Sequence, residues 1–466
     1  MKKFQPSEIR NVALIGHGSA GKTSIAEAIL YLTGVSDRLG KVGDTSSIMD
    51  YDPEEIKRGN SINASVAFCE WEKKKINILD TPGSNNFIGD TPACIRVVDG
   101  VLVVIGADDG IQYFTEKVWQ WATEASLPKI IFINKMDSDK AAVDSILEGI
   151  KKKFKATPVF LQLPYGTGEN FEGIADIAGQ SFYTYEKGGK GIGVQGDLPD
   201  NLKDEAAAAR ENLVENVAEP DDELIEKYLE AGELSEEEFA QGLKKGVESG
   251  DLIPVFCGSA TENIGIDLLL NAIVEYLPSP ERLAVVEGVS VKDDSKISFD
   301  ANQKSPLSSL IFKTVADTYA GKLTLFRVFS GVIKPDSSVY NANQETSERI
   351  GQLFSMQGKK QVPVQEVAAG DIGTVAKLKS SLTGDTLTVP NKGIKLPPID
   401  FPKPVLSRAM VPKSRADEEK ISNTLHRLSE EDPSLGIDRD PQTHELLVSG
   451  MGVVHLDVIV DRMKSR

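Results

Sequence analysis

The sequence predicts an α/β domain built on a doubly wound parallel sheet and interrupted by an inserted α+β subdomain, followed by a β-barrel domain and a small α+β domain. Three observations lead there. Apolar runs of strand length alternate with amphipathic helical stretches from residue 11 to about 157. The first of these runs, Val12-Ala13-Leu14-Ile15, leads into Gly16 to Thr23, which read GHGSAGKT and form a complete GxxxxGK[ST] phosphate-binding loop (P-loop) in strand–loop–helix context. The texture then changes at two proline-rich breaks, Leu277-Pro278-Ser279-Pro280 and residues 396–404. The domains are therefore expected at residues 1–283, with the insert at about 158–250, then at 284–400 and at 401–466.

Strands are expected at 12–15, 76–79, 101–105 and 129–133, with ligand loops at their carboxyl ends. From 158 the pattern is interrupted by a Gly-rich stretch, Glu186-Lys187-Gly188-Gly189-Lys190-Gly191, and then by an acidic, Ala- and Glu-rich helical region. A strand at 252–257 and a helix over 265–276 resume it. Beyond 284, β-branched runs such as 323–329 alternate with turns such as Lys334-Pro335-Asp336-Ser337, as in a barrel. In the last unit a helix is expected to open at Ser414, with Asp417 at capping-box spacing and Ile421, Leu425 and Leu428 on one face, and to close at Pro433. There is no fixed-period repeat.

Composition narrows the class. Of the 466 residues, 40% are hydrophobic and 26% charged, as in globular proteins, and the longest apolar stretches fall well short of the roughly 20 residues needed to span a bilayer. No signal-peptide pattern precedes the first strand, so a cytoplasmic protein without membrane partners is expected. The three cysteines, Cys69, Cys94 and Cys257, lie far apart without metal-ligand spacing and are expected as reduced thiols. The net charge of −18 is uneven: residues 201–250 hold fifteen Asp or Glu against five Lys or Arg. It therefore does not exclude a nucleic-acid partner for the rest of the chain.

The candidate phosphate-binding residues are Gly16, His17, Gly18, Ser19, Ala20, Gly21, Lys22, Thr23 and Ser24. Backbone N–H groups at the helix start would surround the phosphates, Lys22 would neutralise their β and γ oxygens, and the Thr23 hydroxyl would ligate Mg²⁺. Asp80-Thr81-Pro82-Gly83 follows an apolar strand, which places Asp80 to hold a Mg²⁺-bound water and the Gly83 N–H to reach a γ-phosphate. Asn134-Lys135-Met136-Asp137 follows another and reads as a base-recognition loop: Asp137 would accept from guanine N1–H and N2–H₂, the Lys135 stem would cover the ring, and Asn134 would brace the loop. Gly258-Ser259-Ala260 follows a third and offers the Ala260 N–H to guanine O6. Adenine has no donor for Asp137, so GTP and GDP are the expected nucleotides.

With these motifs in this order, the sequence resembles the translational GTPases, in their elongation factor G branch. The likeness extends over essentially the whole chain, through Met49-Asp50 and Arg58-Gly59-Asn60-Ser61-Ile62, the long insert, the barrel segment FKTVADTYAGKLTLFRVFSGVI, and the late segments RLSEEDPS and SGMGVVHLDVIVDRMK. The resemblance implies a P-loop GTPase acting on the ribosome as a monomer, with ribosomal RNA and the stalk protein as partners and the acidic insert facing the stalk. It also places Ser61 where the family has a threonine on Mg²⁺ and γ-phosphate, Ser19 where an aspartate is common, and Ser84 where a histidine positions the attacking water. The implied catalytic set is thus Lys22, Ser61, Gly83 and Ser84, and the implied metal set is Thr23, Ser61 and, through water, Asp80. Serine at 84 should slow hydrolysis without abolishing binding. Of the four histidines, His17, His426, His444 and His455, none is an evident substitute. Two other readings stand beside a ribosome-stimulated GTPase: a GTP-gated ribosome-binding module that barely hydrolyses, and a release-factor-like or ribosome-protection GTPase. Elongation factor G continues for two more domains beyond the position of Arg466, so this chain is expected either to be a piece of a longer protein or to come from one that lacks that arm.

Overall fold

In a computed structural model of the chain, residues 2–154, 156–317, 321–412 and 414–465 are described; residues 318–320 of the barrel segment quoted above fall outside them. The first domain is organised by a seven-stranded sheet. Strand β1 (Ile9–Ile15) is followed by helix α1 (Lys22–Leu32), the short helix α2 (Pro53–Arg58), and strands β2 (Ser65–Trp71), β3 (Lys74–Asp80), β4 (Gly100–Gly106), β5 (Lys129–Asn134) and β6 (Thr157–Phe160). The sheet order is β2-β3-β1-β4-β5, then Leu252–Cys257, then β6, and every pairing is parallel except β2 with β3. Every residue of β1 and β4 is buried, because helices cover both faces of the parallel sheet. Alternate residues feed two cores: Ala13, Ile15, Val103 and Ile105 on one side, Val12, Leu14, Leu102 and Val104 on the other. With β3 and β4 on opposite sides of β1, the crevice at the end of β1 is the switch point where such sheets bind ligands.

The interrupting segment does not begin outside this sheet. Its first residues form β6, which pairs in parallel with Leu252–Cys257 as an edge strand. Pro158 obscures this in the sequence, yet an edge strand has room for a residue that cannot donate. The insert proper is a four-stranded antiparallel sheet, from Gln162–Tyr165 to Val194–Gly196, with helices Lys203–Ala218, Asp222–Ala231 and Glu236–Ser249. Next comes an eight-stranded antiparallel sheet that curls round Ile311, Phe326, Val328, Leu353, Val375 and Leu387. In the last unit, three antiparallel strands are packed by helices Arg415–Glu431 and Val453–Ser465 around Leu425, Leu428, Val448, Leu456 and Ile459. The Ser414 side chain caps the first of these helices by accepting from the Asp417 N–H. All three cysteines are free and buried. Among the described residues, no helix is long and apolar enough to cross a membrane.

A buried polar network joins the first domain to the curled sheet. Lys75 on β3 is fully buried, and its Nζ donates to both oxygens of Asp371 at 2.7 and 2.8 Å. Asn77 donates to Asp371 at 3.0 Å and to Asn11 at 2.8 Å, and Asn11 donates to Asp99 at 2.8 Å. Arg327 closes the set on Asp99 at 2.5 Å and on the Val97 carbonyl at 3.0 Å. Removing one partner of such a pair leaves an uncompensated buried charge, so Asp371→Ala should destabilise the protein by about 3 kcal/mol in chemical denaturation. Replacing both members with apolar residues, Lys75→Met with Asp371→Leu, should cost clearly less. Equal losses in the two variants would contradict this reading.

Candidate nucleotide-binding site

The loop after β1 is shaped by residues without room for larger side chains. Gly16 has φ +143°, and a Cβ there would lie 2.3 Å from the Val104 carbonyl oxygen. Gly21 has φ +95° and precedes α1, where a Cβ would lie 2.1 Å from Asn134 Nδ2. No side chain caps α1, so its first N–H groups and dipole are left facing the loop, the arrangement that binds anions. Ser19 sits exposed at the loop tip with φ +65°, and Ala20 is buried beneath it. A cavity of about 200 Å³ lies between this loop, Asn60-Ser61 and Gly83-Ser84, with Lys22, Thr23 and Ser24 in its wall.

Lys22 is buried, and its Nζ donates to the carbonyls of Gly16 and His17 at 3.0 and 2.9 Å. Burial pushes its pKa down to about 8 against the pull of Asp80 and Asp50. His17 is also shifted down, by burial and then by Lys22, and packs edge-on to Phe114. The Thr23 hydroxyl donates to Asp80 Oδ2 at 2.6 Å and lies 3.0 Å from the Ser61 hydroxyl. Burial raises Asp80 to about 6, although Lys22 and Thr23 oppose it, and raises Asp50 to about 7 with repulsion from Asp80 added. Asp80 Oδ1 and Asp50 Oδ2 are buried without a hydrogen-bond partner. Hydroxyl and carboxylate oxygens with unsatisfied acceptors are a hard donor set that fits Mg²⁺. Among the described residues, no cluster of three or more His, Cys, Asp or Glu could hold a metal by itself, so a cation here would need oxygens from a ligand as well.

Two backbone contacts tie these loops together. The Gly83 carbonyl accepts from the Gly18 N–H at 2.8 Å, so the Asp80-Thr81-Pro82-Gly83 turn rests on the phosphate loop through an oxygen. A Cβ on Gly83 would lie 2.4 Å from Gly18 N, which is why the two backbones can meet. The Ala260 N–H, expected to face guanine O6, instead donates to Asn134 Oδ1 at 3.0 Å, because the Asn134 amide lies between the two loops it joins. The other end of that amide donates to the Ala20 carbonyl at 2.9 Å.

Asp137 Oδ2 accepts from Thr261 at 3.3 Å, while its Oδ1 is buried and unpartnered. Lys135, in a left-handed conformation with φ +66°, pairs with Asp108 at 2.8 Å. Ser259 is buried and its hydroxyl bonds Thr261 at 3.1 Å. Ser84 caps a 3₁₀ turn, Asn85–Phe87, and its hydroxyl accepts from the Asn86 N–H at 3.3 Å. His455 does come close to this turn, 6.2 Å from the Phe87 ring, but both of its nitrogens are engaged. Nε2 faces Asp432 at 2.8 Å and Nδ1 accepts from the Met451 N–H at 3.0 Å.

The sequence reading missed Asp50, Glu27 and Glu55 as part of this neighbourhood. Glu27 on α1 is buried and accepts from Ser47 Oγ and from the N–H groups of Ile48 and Met49. Glu55 is the N3 residue of the Asp52 capping box, a signal present in the sequence.

An uncapped helix start, a buried lysine and an orphaned acceptor in a neighbouring loop define a P-loop nucleotide site. Family models agree: that described as elongation factor Tu GTP binding domain matches residues 7–279, elongation factor G domain 2 matches 306–390, and elongation factor G, domain III matches 401–466. The chain belongs to the translational GTPases, among which it is similar to elongation factor G. A crystal structure of a protein from Thermus thermophilus matches at 30% identity with a TM-score of 0.86, covering 98% of this chain and 66% of that one. This chain therefore spans just under two thirds of the length of that protein.

Lys22 supplies a test by pH. Its depressed pKa of about 8 means that the free site loses this proton as pH rises through about 8. A bound phosphate favours the charged form and raises the pKa, so nucleotide binding at about pH 9 should take up a proton, and affinity should fall as pH rises through that range. Calorimetry in buffers of different ionisation enthalpy measures the uptake. Lys22→Met should abolish it, and binding without proton uptake in the wild type would refute the assignment.

Proposed function

We propose that this chain is the GTP-binding part of a ribosome-associated GTPase, which binds GTP and GDP with Mg²⁺ and hydrolyses GTP slowly. The observation that carries the reading is the buried, unpartnered Asp137 Oδ1 in the loop after β5, an acceptor waiting for the paired donors of guanine. An unpaired buried carboxylate oxygen is costly, so a base lacking those donors is rejected. The α1 N-terminus and loop N–H groups would cradle the phosphates, with Lys22 moving from the loop carbonyls to phosphate oxygens. Thr23 and Ser61, with Asp80 through water, would hold Mg²⁺, which when bound would neutralise the charge between β- and γ-phosphates. The Gly83 N–H would meet the γ-phosphate. The ribosome, through its RNA and stalk protein, is the partner that the family resemblance suggests, with the acidic insert helices steering towards a basic stalk surface.

Slow hydrolysis is supported by Ser84, whose hydroxyl is short and already bonded within its own turn. The same observation favours a second reading, a GTP-gated ribosome-binding module. Multiple-turnover phosphate release with and without ribosomes separates the two: stimulation supports a GTPase, and none supports the module.

Two substitutions test the site. Asp137→Asn exchanges an acceptor for a donor-bearing amide and should shift preference from guanine to xanthine nucleotides by roughly 100-fold or more. Equal affinity of the wild type for ATP and GTP would end the reading of Asp137. Ser84→His should leave GTP affinity unchanged but raise ribosome-stimulated turnover about tenfold, because water positioning belongs to the transition state. If the wild type already turned over at the rate of an ordinary elongation factor G and the histidine added nothing, Ser84 would not be the limiting residue.

A further inference from the structure

We propose that Arg462, on the C-terminal helix of the last domain, is a positioning residue that holds the Ser61 loop in place for a triphosphate. The proposal rests on reading the cavity as a guanine nucleotide and Mg²⁺ site with Ser61 on the γ-phosphate side. Ser61 lies at the end of the segment that carries α2, and that segment is tied head to tail by one carboxylate. The buried Glu55 carboxylate accepts from the Asp52 N–H at 3.1 Å at the head of α2, and from the Ile62 and Asn63 N–H groups at 3.0 and 2.9 Å just after Ser61. Displacing α2 therefore displaces the Ser61 hydroxyl from its position 3.0 Å from Thr23.

The last domain grips this piece at both ends. Arg462 Nη2 donates to Asp52 Oδ2 at 2.8 Å and to Asn63 Oδ1 at 3.2 Å, so one guanidinium nitrogen joins the residue capping α2 to the second residue after Ser61. Beside it, Asp461 Oδ2 accepts from Arg58 at 3.2 Å and Lys57 at 3.3 Å, in the last turn of α2. The C-terminal helix thus offers a cation to the acidic start of α2 and an anion to its basic end. The Arg462 side chain is 12% exposed and that of Asp52 25%, whereas in the second grip Arg58 is 27%, Asp461 31% and Lys57 61% exposed. Charge-assisted bonds away from water hold geometry, while an exposed pair contributes little. Arg462 is therefore the dominant contact of the two.

The consequence is linkage. A triphosphate that needs Ser61 in place binds only the gripped arrangement, so it favours docking of the last domain, and docking tightens triphosphate binding by the same factor. GDP has no γ-phosphate and is indifferent.

Binding of fluorescent GDP and of a non-hydrolysable fluorescent GTP analogue, with Mg²⁺, tests this in the full chain. Arg462→Ala should weaken the analogue about tenfold and change GDP less than about twofold. Exchange of the Ile62 and Asn63 amide hydrogens should quicken in the same variant without nucleotide. The control Lys464→Ala, on the same helix but exposed, should match the wild type, and the charge swap Asp52→Arg with Arg462→Asp should recover part of the tenfold loss. If Arg462→Ala left the ratio of the two affinities unchanged, or weakened both nucleotides equally, the clamp would be overturned while the site reading stood. If the wild type bound neither guanine nucleotide, the site reading itself would fall, and the proposal with it.

Discussion

A single side-chain amide, that of Asn134, sets the positions of the loops on which the site depends. It donates to the Ala20 carbonyl in the phosphate loop and accepts from the Ala260 N–H beyond the strand Leu252–Cys257, while its own backbone ends β5. Loops from three parallel strands are thereby held at fixed separation by two hydrogen bonds in a buried setting, where such bonds are strong and their loss is costly. Gly21 must lack a side chain for the amide to lie there. The same bond occupies the Ala260 N–H that base recognition was expected to use, so the proposed base discrimination rests on Asp137.

Around this fixed point the polar groups divide by purpose. Glu55 spends both oxygens on backbone N–H groups, and Glu27 spends Oε1 on Ser47 Oγ and the Ile48 and Met49 N–H groups while its Oε2 stays unpartnered, so both give fixed shape to a segment with little apolar content. Asp80 and Asp50 each keep a buried oxygen free, and their raised pKa values follow first from burial, then for Asp50 from the charge of Asp80 and for Asp80 from those of Glu55 and Glu27. Buried acceptors of this second kind cost stability unless a ligand satisfies them, which is how a binding site differs from a core.

The parts legible in the sequence are those with a local signature. The phosphate loop, Asp80-Thr81-Pro82-Gly83 and Asn134-Lys135-Met136-Asp137 each follow an apolar strand, so periodicity alone places them at one edge of the sheet. Ser414 and the Leu425–Leu428 face of its helix are legible for the same reason. What stays hidden depends on partners remote in sequence. Pro158 reads as a break until its neighbour across the sheet shows an edge strand. The orientation of the Gly83 carbonyl depends on Gly18, and the fates of Lys75 and Arg462 depend on Asp371 and Asp52, some 300 and 400 residues away. Nothing in the local spacing of a lysine or an arginine announces such a partner.

The two kinds of domain junction differ in their response to the medium. Lys75–Asp371 and Arg327–Asp99 lie beneath the surface, where dissolved ions screen little, whereas Lys57 and Arg58 meet Asp461 nearer to water. Ionic strength therefore acts on the chain unevenly. As salt rises, the first domain and the curled sheet stay joined, and the grip of the last domain narrows from two points to the better-shielded Arg462, a joint whose compliance is set by the surrounding electrolyte.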